Sequence, residues 1–204
     1  MSAQLKDRLV SIFRDIRADR DAEGRLTVVA GAASVRSVLK LFKEEGYDFL
    51  QLVSCVDWID QDELEVVYVL SSYPVEGDGP EGEEAPVVSG SVDSIAHGVG
   101  RQSDGGDVEA GAHGSLPPVV LKTRVPRESP VLETAIGVYP VAEPYEREIH
   151  ELYGVSFEGH PRLTPLFLER EYEIPPFRKD FDTRKYVDDV FGSVPPVGEE
   201  DQGQ

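Results

Sequence analysis

The chain has 204 residues with 39 acidic against 20 basic side chains, a net charge of −19, and a single cysteine. That charge argues against a nucleic-acid or anionic-membrane surface, and one cysteine excludes an internal disulfide, a thiolate zinc site and a cysteine-held iron–sulfur cluster. The length suits one sizeable core, or a smaller core with long appendages.

Leu5, Leu9, Ile12 and Ile16 recur at helical spacing and predict a first amphipathic helix ending near Asp21 to Gly24. Its start alternates charged and apolar residues, unlike a signal peptide or a membrane span. RLTVVAG reads as a short strand. Ser34 is placed to cap a second helix with the stripe Val35, Val38, Leu39 and Phe42, ended by Gly46. FLQLVSCVDWI and LEVVYVLSSY predict neighbouring antiparallel strands joined by an acidic turn, and Cys55 inside the first reads as a buried small hydrophobe. DWIDQDE lacks the spacing of a calcium loop and is expected to be solvated.

Residues 74–118 are Gly-rich, acidic and free of aromatics, which predicts a disordered insertion between two strands of one sheet. His97 and His113 lie in it without companion ligands. VVLKTRV resumes as a strand, and Ser129 with Pro130 fits the start of a short helix. Residues 166–204 read as an extended tail with spaced aromatics, suited to lying across another surface.

The stretch YEREIHELYGVSFEGHP concentrates the charge. His150 and Glu151 begin like the zinc helix H-E-x-x-H, but the second histidine position is Gly154, and His160 follows the helix break. Glu146, Glu148 and Glu151 could supply paired carboxylates. Against that, Glu143, Arg147 and Glu151 are spaced as i,i+4 ion pairs, while Glu146 and Glu148 would sit in a first turn where the helix dipole favours anions. Tyr145, Ile149, Leu152 and Tyr153 form an apolar stripe that would dock the helix on a core. No nucleophile elbow, dinucleotide fingerprint or phosphate-binding loop is present in the sequence.

In order and spacing, EREIHELYGVSFEGHPRL followed by PFRKDF resembles the signature of the hydrophilic 30 kDa subunit family of respiratory complex I, the NADH-quinone oxidoreductase. Glu146, Arg147 and Glu148 stand at its first element, Glu151 at an acidic spacer position, and Tyr153, Gly154 and Val155 at an aromatic-Gly-aliphatic triplet. Phe157, Gly159, His160 and Pro161 complete the core, and Arg178, Lys179 and Asp180 match the trailing element; Arg162, Thr164 and Pro165 depart from the family pattern.

The resemblance implies an α/β (α+β) fold: a small mixed or antiparallel sheet flanked by helices, formed by residues 1–73 and 119–165, with the insertion and tail as appendages. It implies a non-catalytic peripheral-arm subunit packed against the quinone-site large subunit and iron–sulfur subunits, with those motif residues at the interface. The chain itself would bind no cofactor or metal, within a complex that uses NADH, FMN, iron–sulfur clusters and quinone. It would be held peripherally at the cytoplasmic side of the cell membrane. The equivalent subunit of a membrane-bound hydrogenase or related dehydrogenase shares the signature; a free-standing metal-dependent enzyme and an acidic adaptor are the competing readings.

Overall fold

The computed structural model describes residues 2–22, 24–72, 116–168 and 172–192. The chain divides into one unit of Met1–Tyr73 with Leu116–Gln204 and a second of Pro74–Ser115, which lies outside the described residues. The expectation of a disordered insertion, with His97 and His113, therefore also falls outside them, up to Leu116.

The elements, in order, are α1 (Ser2–Ile12), β1 (Ile16–Arg20), β2 (Leu26–Ala30), α2 (Val35–Glu44), β3 (Phe49–Trp58), β4 (Glu63–Ser71), β5 (Val119–Pro126), β6 (Val131–Glu133), α3 (Ala142–Tyr153), β7 (Ser156–Glu158) and α4 (Thr183–Phe191). Five strands form a mixed sheet in the order β1-β2-β5-β4-β3, and β6 pairs with β7 in a separate parallel ribbon. Only β2 and β5 run parallel in the larger sheet; its other pairs are antiparallel. The fold is thus the α+β arrangement that the sequence predicts.

Period-two alternation sends one face of the sheet inward. Leu26, Val28 and Ala30 of β2, Val119 and Leu121 of β5, Leu64, Val66, Tyr68 and Leu70 of β4, and Leu50, Val53 and Cys55 of β3 join the inner stripes of the helices in one core. Val38, Leu39 and Phe42 of α2 have no exposed surface, each burial contributing roughly 1.5–3 kcal/mol. Tyr139 anchors the chain ahead of α3 to the end of α2, its hydroxyl donating to the Tyr47 carbonyl at 2.7 Å. Gly46 has φ +91°, the left-handed conformation that its place after α2 requires.

Three local expectations need correcting. The first helix ends at Ile12, and Ile16 begins a strand: IRADR alternates between faces, and β2 offers it a ladder, so period two wins over the overlapping period of four. Ile12 itself is 53% exposed. Ser34 does occupy the position before α2, but its hydroxyl caps nothing there; it donates to the Asp15 carboxylate at 2.9 Å. Finally, Ser129 and Pro130 precede a strand, because Leu132 is buried between the exposed Val131 and Glu133 while β7 supplies hydrogen bonds.

The acidic DQDE segment is a turn whose Asp62 has φ 55°, and Cys55 is buried, as the sequence suggests. Burial pushes its thiol pKa up to about 12, with Asp57 adding to the rise. Leu116 is tied to the end of β4 by its N–H, which donates to Ser72 Oγ at 2.6 Å. The tail carries α4, a helix that its irregular spacing and prolines give no reason to expect.

Candidate functional site

The helix α3 begins after Pro140 and tolerates Pro144 in its first turn, where an N–H has no intrahelical partner. It ends at Gly154, whose φ of 78° suits glycine, and a Cβ there would also crowd Pro175 Cγ at 3.0 Å. Its buried face is Ala142, Glu146, Ile149, Glu151 and Leu152, so two of the motif carboxylates point inward.

Glu146 has no exposed surface and, because α3 begins at Ala142, it lies beyond the first turn in which the sequence places it. Thr134 Oγ1 donates to it at 2.5 Å and the Ala135 N–H at 2.6 Å. Burial raises its pKa to about 7, against those two hydrogen bonds, which favour the charged form. The residue pins the 134–136 turn to α3 across the core.

Arg147 forms one of its two expected ion pairs, with Glu143 at 3.5 Å. The other is replaced: Arg147 donates to the carbonyls of Thr164 at 3.0 Å and Pro165 at 2.9 Å, and Glu151 turns to a different set of donors. The Glu151 carboxylate accepts from the backbone N–H groups of Leu166, Phe167 and Leu168, at 2.7 to 3.2 Å. A loop that must leave several N–H groups unpaired close to the protein is thereby satisfied by one side chain. Glu151→Ala should cost about 2 kcal/mol and accelerate amide hydrogen exchange at 166–168 while the sheet amides stay protected; unchanged exchange at those three amides would count against this role.

The trailing motif folds back onto the same region. Phe177 N–H donates to the Leu152 carbonyl at 3.0 Å, and Arg178 Nε to the Tyr153 carbonyl at 2.7 Å, closing the C-terminal end of α3. Lys179 N–H donates to Asp57 Oδ2 at 2.8 Å, and Asp180 accepts from Arg127 at 2.7 Å. Arg127 in turn lies against Asp57, with Nε 2.8 Å from Oδ1, close enough for an ion pair although not aligned as a hydrogen bond, and with its terminal nitrogen donating to Oδ2 at 3.1 Å. Burial opposes the guanidinium charge, but the hydrogen bonds that it donates to Asp57 and Asp180, together with their negative charges, outweigh this and raise its pKa.

Asp57 and Arg127 are thus the residues that the sequence reading missed. They are 70 positions apart, and no motif contains both. A signal existed: Val53, Cys55 and Asp57 share the inward period of β3, and a carboxylate in that series requires a cation.

The remaining motif residues shape the edge. Phe157 is buried, Gly159 has φ 82°, and Pro161 lies in the exposed turn that follows. His160 accepts the Arg162 N–H at Nδ1 and meets the Glu143 carbonyl through Nε2 at 3.3 Å, a pairing that places its proton on Nε2. His150 Nδ1 is 2.8 Å from the Val155 carbonyl. The two histidines thus have separate backbone partners, and among the described residues no three His, Cys, Asp or Glu side chains are grouped to hold a metal. Glu148 remains beside a cavity with Tyr153 and Phe177.

Residues 28–187 match the family model described as the respiratory-chain NADH dehydrogenase 30 Kd subunit. Among curated proteins, the C subunit of the F(420)H(2) dehydrogenase of Methanosarcina mazei is 34% identical over 137 residues, 67% of this chain and 61% of its own. The C subunit of the NADH-quinone oxidoreductase of Bartonella quintana is 40% identical over 68 residues, 33% of each chain. The matches thus span less than two thirds of these relatives' own length. A chain in the structure of the membrane-bound sulfane sulfur reductase, an archaeal respiratory membrane complex, superposes with a TM-score of 0.67 at 23% identity, covering 99% of this chain and 98% of that one. At that identity it shows a shared fold.

Proposed function

This chain belongs to the respiratory-chain NADH dehydrogenase 30 Kd subunit family, and from that premise we propose that it is a non-catalytic peripheral-arm subunit of a proton-translocating NADH-quinone oxidoreductase. In this role it scaffolds the large subunit that lines the quinone site, together with the neighbouring iron–sulfur subunits. The observation that supports this reading is how the motif side chains are used. Arg147, Glu151, Arg178 and Asp180 are engaged within the chain, where they fix α3, the following loop and the tail into one edge. That edge presents Phe167, Ile174 and Phe177 at 70%, 40% and 57% exposure, the kind of apolar display that marks a protein interface.

NADH, FMN, iron–sulfur clusters and quinone are assigned to other subunits. One cysteine cannot supply the thiolates of a cluster, and the described His, Cys, Asp and Glu residues do not form a metal-binding group. No helix among the described residues is long and apolar enough to cross a membrane; in this reading the chain is held at the membrane surface through its neighbours.

A second reading is favoured by the Methanosarcina relative, which aligns along 67% of this chain: the same scaffold role in a dehydrogenase with a different electron donor, or in a membrane-bound hydrogenase. Purification of the tagged chain from native membranes in mild detergent, with mass spectrometry and donor-specific assays, separates the two. Recovery of flavin and iron–sulfur subunits with NADH-quinone activity supports the first reading. A complex active with another donor, or carrying hydrogenase subunits, selects the second. A chain recovered alone overturns both.

A further inference from the structure

A cavity of about 150 Å³ opens between β3 and α3. Leu52 and Cys55 line it from the strand, Leu152 and Tyr153 from the helix, and Phe177 from the tail. The Phe177 ring meets Tyr153 edge-on, with centroids 5.8 Å apart. Glu148 is the charged residue in this lining, one helical turn before Leu152. Its carboxylate makes no hydrogen bond or ion pair with another described residue, whereas Arg147 and Glu151 beside it are both engaged. Arg178, near the Cys55 end, has its Nε on the Tyr153 carbonyl and forms no ion pair with Glu148.

The space is too small for a cofactor or a folded peptide, which need roughly 300 Å³ or more, but it matches a single long side chain. Apolar walls with one carboxylate at their rim suit a methylene stem ending in a positive charge. The rings of Tyr153 and Phe177 add attraction for a cation. A neutral or anionic occupant would cover the Glu148 charge without pairing it. The chain's net charge of −19 also attracts a basic patch from a distance.

We infer that this cavity is a socket for one arginine or lysine side chain of a neighbouring subunit, with Glu148 as its counter-ion. The inference rests on the assembly role proposed above and adds the chemistry required on the partner's side.

The test uses the tagged full chain expressed in its native membranes, as the parent sequence, as Glu148→Gln and as Leu52→Trp, which fills the cavity without changing charge. A further variant carries a photo-crosslinking phenylalanine derivative in place of Leu52. Both substitutions should lower retention of the neighbouring subunit about tenfold at physiological salt, with the thermal midpoint of the isolated chain unchanged. The crosslinked peptide should carry an arginine or lysine next to the crosslinked residue. Equal retention by Glu148→Gln across a salt series, a crosslinked peptide without a basic residue, or no crosslink within an intact complex overturns the socket and leaves the assembly role standing. A parent chain that recovers no neighbour overturns both.

Discussion

Replacing Arg127 with methionine should lower the unfolding free energy of the full chain by about 3–5 kcal/mol and release the tail. The Asp57 side chain is 2% exposed, and Arg127 is the cation beside it. Its removal leaves a buried carboxylate with the Lys179 N–H as its remaining described donor, and leaves Asp180 without the guanidinium that holds it. A buried pair broken on one side costs far more than the pair contributes when intact, because the surviving charge stays desolvated. The combined change Asp57→Leu with Arg127→Met should therefore recover part of the loss, while Asp180→Asn, at a position 42% exposed, should cost only about 1 kcal/mol. Urea midpoints measure the stability, and trypsin susceptibility after Arg178 and Lys179 reports the tail. A single Arg127→Met variant as stable as the double one would show that the buried charge is not what the arginine serves.

The second large effect is a dependence on pH. Glu146 is protonated more readily in the folded chain than in the unfolded one, since burial lifts its pKa from 4.5 to about 7. The folded state therefore binds the extra proton between those values. The contribution of this group is greatest below pH 4.5 and is lost as pH rises through 7, by roughly 3 kcal/mol in all. Glu146→Gln removes the charge but keeps an oxygen for the Ala135 N–H, so the variant should lack this fall. Plotting the stability difference between the two chains against pH cancels the titrating groups that the substitution does not perturb. A difference that stays flat from pH 4.5 to 7 would mean that the carboxylate keeps its charge in the fold. Glu146→Ala, which leaves the Ala135 N–H unpaired and opens a void, should cost about 2–4 kcal/mol even at the acid end.

These two residues show where the sequence is readable and where it is not. The stripe of α2, the β3–β4 pair and the glycine that ends α3 are written in local period and turn chemistry, and each stands where the sequence places it. The spacing of Ile16 satisfied a helix as well as a strand, and only the ladder with β2 decided between them. The sequence assigns Glu146 to a first turn because Pro144 reads as the helix start, whereas the helix begins at Ala142 and Glu146 lies with Ala142 and Ile149 on its inward stripe. The double hold of Glu151 on the loop and the clasp of Asp180 by Arg127 depend on segments brought together by folding, for which local spacing carries no signal. The signature from Glu146 to Asp180 identified the family, while much of its physical purpose, bonding one part of this chain to another, became visible only in three dimensions.

The sheet order has a consequence for biosynthesis. The fifth strand sits between the second and the fourth, parallel to one and antiparallel to the other. Until residues 119–126 leave the ribosome, the earlier strands can form only two separate antiparallel ribbons, each presenting an unpaired, Val-rich flank. Those flanks close in a single late step that joins residues far apart along the chain, which makes the step slow and exposes the nascent protein to edge-to-edge association before it happens. A pulse-labelled ribosome-bound chain stalled before residue 119 should remain protease-sensitive and bind chaperones, and one extended well past residue 126 should not.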